Sequence, residues 1–147
     1  MKEQLISVET AKLAKEKGFN EETFGHHYID NNDDHLFPHA ITGFNEALKW
    51  NSILEDSFFK ALYRGLEIKE IISVPTQSFL QQWLREKHNI ECYVVPFYRF
   101  GEIGYQAYYG NVFTDFKPLT GEIGGYLSHN TYEKAFDAGL QESLKLI

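Results

Sequence analysis

Apolar and polar positions change rhythm along the chain, and the changes divide it into readable pieces. Residues 7–18 carry Val8, Ala11 and Ala14 at helical spacing, with Ser7 placed to cap the start and Gly18 to stop the end, so a short helix is expected there. Phe19 packs its exit. Residues 20–43 lose periodicity and run through His26-His27, Asp30 to His35 and Pro38, the pattern of a long loop or insertion. From 44 to 74, Phe44, Leu48, Trp50, Ile53, Leu54, Phe58, Leu62 and Leu66 recur at mixed three- and four-residue spacing, which reads as helical segments. Ile71 to Val74 read as a short strand or extended lead-in, because the residue before Pro75 is pushed out of helical geometry.

The second half is more regular. After Pro75, Phe79, Leu80, Trp83 and Leu84 share one helical face and Gln81, Gln82, Arg85 and Glu86 the other, so a helix is expected to end near His88-Asn89. Residues 91–100 alternate β-branched and aromatic side chains as a strand does, and Pro96 confines that strand to a sheet edge or a bulge. Gly101-Glu102 turns into a second strand over 103–116, and Pro118 to Gly121 turn into a third over 122–128. Asn130 is the expected cap of a last helix, with Glu133 reaching back, and Tyr132, Phe136, Leu140, Leu144 and Ile147 form its buried stripe.

Short connections between consecutive strands force antiparallel pairing, and two helices on one sheet face make a layered α+β unit over 75–147. The expected fold class is therefore α+β: a helix-strand-strand-strand-helix unit packed with a mainly helical N-terminal half. The length of 147 residues suits a single domain with one core.

Three segments resemble a group of short uncharacterised proteins of gut bacteria and their phages: ETAKLAKEKGFNE at 9–21, PTQSFLQQWLREKH at 75–88 and YEKAFDAGLQESLKLI at 132–147. Residues 25–70 lie outside the resemblance. It implies a phage or prophage context, and it transfers no activity and no catalytic residue.

Composition narrows the function. The chain is 43% hydrophobic and 24% charged, which excludes disordered and low-complexity classes. Acidic residues outnumber basic ones, 21 to 14, for a net charge of −7, and they do so in both halves. Non-specific attraction to nucleic acid or to an anionic membrane is thereby disfavoured. The lone Cys92 forms no intramolecular disulfide, and no apolar run approaches a signal peptide or the about 18 residues of a membrane span. A cytoplasmic location is the expectation.

The densest set of metal-ligand types lies in residues 26–39. His26, His35 and His39, with Asp30 or Asp33, are the candidate ligands for a divalent metal, whose bound water would serve a small hydrolase. Their spacing matches no named motif, and a solvated polar turn accounts for the same residues. No cofactor is otherwise predicted. A Cys92–His88 dyad and a Ser128-His129 pair with Asp115 are weaker arrangements, the first because a strand cysteine flanked by Tyr93 and Val94 is ordinarily a buried thiol. The glycine-rich stretch at 121–126 lacks the Lys-Ser/Thr of a phosphate loop. The helix-strand-strand-strand-helix order is also that of double-stranded-RNA-binding domains, but the last helix opens with only Lys134 beside Glu133 and Asp137.

Aromatic residues make up 16% of the chain and concentrate on the expected sheet. With helices on one face, the other carries alternate aromatics, to be covered by residues 44–74 or by a partner. Tyr105, Tyr108, Tyr109, Phe97 and Tyr98 are the candidate contact residues. The favoured reading is a non-enzymatic interaction module with an unidentified protein partner or a second copy. The alternatives are the metal-dependent hydrolase and a double-stranded-RNA binder.

Overall fold

Ser7 starts the first helix as its spacing predicts: its hydroxyl accepts a hydrogen bond from the Thr10 amide at 3.3 Å, and α1 runs Val8–Glu16. Gly18, at φ +88°, closes it. The amides of Gly18 and Phe19 turn back to the carbonyls of Lys15 and Ala14, the paired bonds of a Schellman motif that a left-handed residue makes available. Our computed structural model of the chain describes residues 4–29, 34–37, 48–55, 68, 70–99, 101–121 and 128–147. These fall into two compact units, Leu5–Thr76 and Gln77–Ile147, the latter together with Met1–Gln4.

In the first unit, strands β1 (His26–Ile29), β2 (Asp34–Phe37) and β3 (Glu70–Ser73) form an antiparallel sheet in the order β2-β1-β3. Two strands therefore stand where the pattern of residues 20–43 reads as a loop. His26-His27-Tyr28-Ile29 carries no polar–apolar alternation, so its extended backbone is specified by pairing to β3 rather than by local pattern. Likewise, the described part of residues 44–74 is a 3-10 turn, Trp50–Glu55, followed by β3, and it does not make this half mainly helical. Its core is Trp50, Ile53 and Ile71, with Leu48 and Ile68 against them. Asn51 braces it: its side-chain amide donates to the Phe19 carbonyl, and its Oδ1 accepts from the Ser73 amide at 2.8 Å.

The second unit is the expected α+β layer. Helix α2 (Gln77–His88) leads into β4 (Ile90–Arg99), β5 (Glu102–Asn111), β6 (Phe116–Pro118), β7 (Ser128–His129) and helix α3 (Tyr132–Leu144). β4 and β5 pair antiparallel over ten residues each, from Ile90 opposite Asn111 to Arg99 opposite Glu102, and Gly101 takes φ +87° in the turn. The second strand is shorter than its aromatic run suggests, because the chain turns at 112–115. β6 and β7 both pair with the far side of β5. Residues 122–127, most of the expected third strand and of the glycine-rich stretch, lie outside the described residues. Thr131, not Asn130, caps α3: its Oγ1 accepts from the Lys134 amide at 3.3 Å, which leaves Glu133 one position short of a capping box.

α3 packs across β4 and β5, and α2 packs on β4 and on α3. Gly139 marks the closest approach, since a Cβ there would lie 2.5 Å from the Cys92 sulfur and 2.9 Å from the Ala107 Cβ. This fixes the covered face: Cys92, Ala107 and the residues in register with them. β4 is an edge strand, as Pro96 requires. Its outward backbone groups are met at Cys92, whose carbonyl accepts from the Gln81 side chain at 2.6 Å and whose amide donates to the Glu91 carboxylate at 3.1 Å. Residues two apart direct their backbone groups alike, so the amide that Pro96 lacks belongs to the same outer row. Arg85 holds Glu91 in place at 2.9 Å. Among the described residues, no helix is long and apolar enough to cross a membrane.

Candidate functional site

Cross-strand register divides the candidate aromatics between two faces. Tyr105 and Tyr109 are in phase with Ala107, and therefore with the helices; Tyr105 meets Tyr132 of α3 edge-on at 6.3 Å. Tyr98 has the same phase but lies at the hairpin tip, 74% exposed, opposite Ile103 at 60%. Phe97 and Tyr108 belong to the opposite face, the one turned away from α2 and α3. There they join Tyr93, Val95 and Phe116, which the sequence reading did not single out although the alternation of 91–100 already placed Tyr93 and Val95 in phase with Phe97.

That face is an ordered aromatic strip. Tyr93 and Tyr108, directly opposite in the ladder, stack at 5.3 Å with rings 6° from parallel. Phe116 meets Tyr93 edge-on, also at 5.3 Å. The Phe97 ring lies across Gly104, its cross-strand partner, so closely that a Cβ there would be 2.6 Å from Cζ. Gln106 anchors the strip from within, donating to the carbonyl of Leu119 at 2.9 Å. Tyr93 and Val95 remain 40% exposed.

Of the histidine-rich segment, the structure describes the strands His26–Ile29 and Asp34–Phe37. His26 and His27 are both buried to about 1% exposure and, as neighbours on a strand, project to opposite faces of β1. The His26 ring stacks on Trp50 at 3.9 Å, and the Trp50 indole N–H donates to the Thr23 carbonyl at 2.7 Å. Burial, reinforced by the neighbouring His27, lowers the His26 pKa to about 4, with a backbone hydrogen bond at Phe24 acting the other way. The imidazole is thus neutral at physiological pH. The backbone of His35 lies opposite Tyr28, while Asp30, Asp33 and His39 lie outside the described residues. Among the described residues, no three His, Cys, Asp or Glu side chains are grouped to hold a metal ion.

Cys92 sits fully buried beneath Gly139, and its thiol is pushed up to about 12, by burial first and by the Glu91 charge, against a hydrogen bond from Ser143. A thiol so placed supplies no thiolate. His88 turns instead onto Trp83, edge-on at 4.6 Å. Burial also lowers the His129 pKa, with Lys134 adding to the effect.

No family model matches the chain, and no curated protein or solved structure is similar to it.

Proposed function

We propose that the chain is a non-enzymatic protein-interaction module whose contact surface is the face of the β4–β7 sheet turned away from α2 and α3. One observation carries the reading: the strip in which Tyr93, Tyr108 and Phe116 pack on one another beside Val95 and Phe97, with Tyr93 and Val95 exposed. Rings already held by one another lose little conformational entropy when a partner covers them, and tyrosine, apolar in body with a polar tip, is enriched where protein meets protein. The net charge of −7 and the lone Lys134 at the start of α3 argue against a nucleic-acid backbone as the occupant. The buried, protonated thiol of Cys92 argues against cysteine chemistry. A phage or prophage origin belongs to the same proposal and rests on the three resembling segments.

The test is site-directed photocrosslinking in the producing cell, with benzoylphenylalanine at position 95 on the strip and, as a control, at position 86 on the exposed side of α2. The expected result is a protein adduct of defined mass from position 95, absent from position 86 and lost when Tyr93→Ser and Tyr108→Ser are added. An adduct equal to the mass of the chain itself identifies a second copy as the partner. No adduct at 95, or the same adducts from both positions, refutes the reading.

A further inference from the structure

Both helices of the second unit end over a cleft of about 330 Å³. Its lining joins His88, the last residue of α2, to Leu146 and Ile147 just past α3, and its floor is the end of the sheet. Register explains why the floor is polar there. Tyr109 lies opposite Cys92 on one side and Lys117 on the other, and Ile90 lies opposite Asn111, so all four lining positions share the helix-side face. Directly opposed residues of this kind bring their Cβ atoms to about 5 Å.

Three features make this a formed site rather than a surface dent. Its volume lies at the lower end of the roughly 300–1,000 Å³ of small-molecule sites. Its wall is held by three backbone amides: that of Val112 donates to the Asn89 carbonyl at 2.8 Å, that of Phe113 to the Asn111 side-chain Oδ1 at 2.9 Å, and that of Thr114 to the Asn111 carbonyl at 3.1 Å. Gly110 lets the wall close in, since a Cβ there would lie 2.6 Å from the Asp115 carbonyl. Finally, two opposite charges stand at the rim, and neither Lys117 nor Asp115 has an ion-pair partner among the described residues. The Tyr109 phenol, which lines the cleft, has its pKa raised by burial and by the Glu142 charge, with Lys145 opposing, so it keeps a proton to offer a ligand. Ile90, Leu146 and Ile147 supply an apolar lining.

We infer that the cleft binds a small zwitterion of amino-acid type with an aliphatic side chain: its carboxylate toward Lys117 and Tyr109, its ammonium toward Asp115, and its side chain against Ile90, Leu146 and Ile147. A simple anion leaves Asp115 opposed to it, and a simple cation leaves Lys117 opposed. The site is separate from the aromatic strip, which lies on the other face of the sheet, so neither reading depends on the other.

The probe is L-leucine, titrated into the full chain and followed by amide chemical shifts. The expected result is saturable shifts confined to residues 88–90, 109–117 and 146–147. Lys117→Ala and Asp115→Asn, both at exposed positions that leave the fold intact, should each weaken binding by about tenfold or more. Isoamylamine and isocaproate, which each keep one charge, should be weaker by a similar factor. Absence of saturation up to about 10 mM, equal binding by either single-charge analogue, or indifference to both substitutions overturns the inference.

Discussion

Gly139→Ala is a sharp test of how α3 lies on its sheet. Taken as a helix alone, the exchange gains stability, since alanine is favoured over glycine by about 1 kcal/mol in a helix interior. The packing opposes it. The added methyl would lie 2.5 Å from the Cys92 sulfur and 2.9 Å from the Ala107 Cβ, where ordinary carbon contacts are about 3.5–4 Å, so helix and strand must separate by roughly 1 Å. Neither neighbour can swing away, because both Cys92 and Ala107 are fully buried short side chains on paired strands. Overpacking of this kind costs about 1–3 kcal/mol, which exceeds the propensity gain over most of its range. The expected outcome is a net loss of up to about 2 kcal/mol, read as faster hydrogen exchange of the α3 amides. In a Cys92→Ala background the sulfur is gone, and the same exchange should cost at least about 1 kcal/mol less, a coupling that only direct contact produces. A Gly139→Ala protein as stable as the parent, with no coupling to Cys92, would refute this packing.

Gly104→Ala makes the contrast: its Cβ meets the far end of the Phe97 ring, which can rotate into solvent, so the loss should stay below about 1 kcal/mol and appear mainly as a shifted Phe97 ring resonance. The His26 pKa gives a pH dependence. An imidazole whose pKa falls from 6.5 to about 4 on folding binds a proton more readily in the unfolded chain. Stability should therefore hold above about pH 6.5, fall as pH drops toward 4, and lose on the order of 3 kcal/mol in total; Trp50 fluorescence reports it, and His26→Asn should flatten the curve. Cys92, with its thiol near 12, should resist iodoacetamide at pH 8 until urea unfolds the chain, and rapid labelling of the native protein would contradict its burial.

Helix α1 and the second unit were legible because their signals are local. Ser7 and Gly18, the apolar face of Phe79 to Leu84, and Pro96 on an edge strand each fix geometry through one or two neighbours. What a residue faces is not local. Tyr105, Tyr108 and Tyr109 alternate along one strand, and only the docking of α3 decides which of them is covered. The β1–β2 hairpin escaped for the same reason: His26 and His27 read as polar, yet Trp50 and β3, distant in sequence, bury them. A buried neutral imidazole and a hydrated ligand look alike in one dimension.

β4 carries one more consequence. A strand on the border of a sheet is a template, and a long aromatic one such as Ile90–Arg99 would invite a neighbouring chain to lengthen the sheet without limit. Here Gln81 and Glu91 already occupy the hydrogen-bonding groups of Cys92, and Pro96 offers no amide to an incoming strand. Growth by zippering is thereby refused along the border, while stacking onto the Tyr93–Tyr108 face is left open. On the interaction reading proposed above, the chain avoids open-ended sheet growth and keeps its contacts to one face.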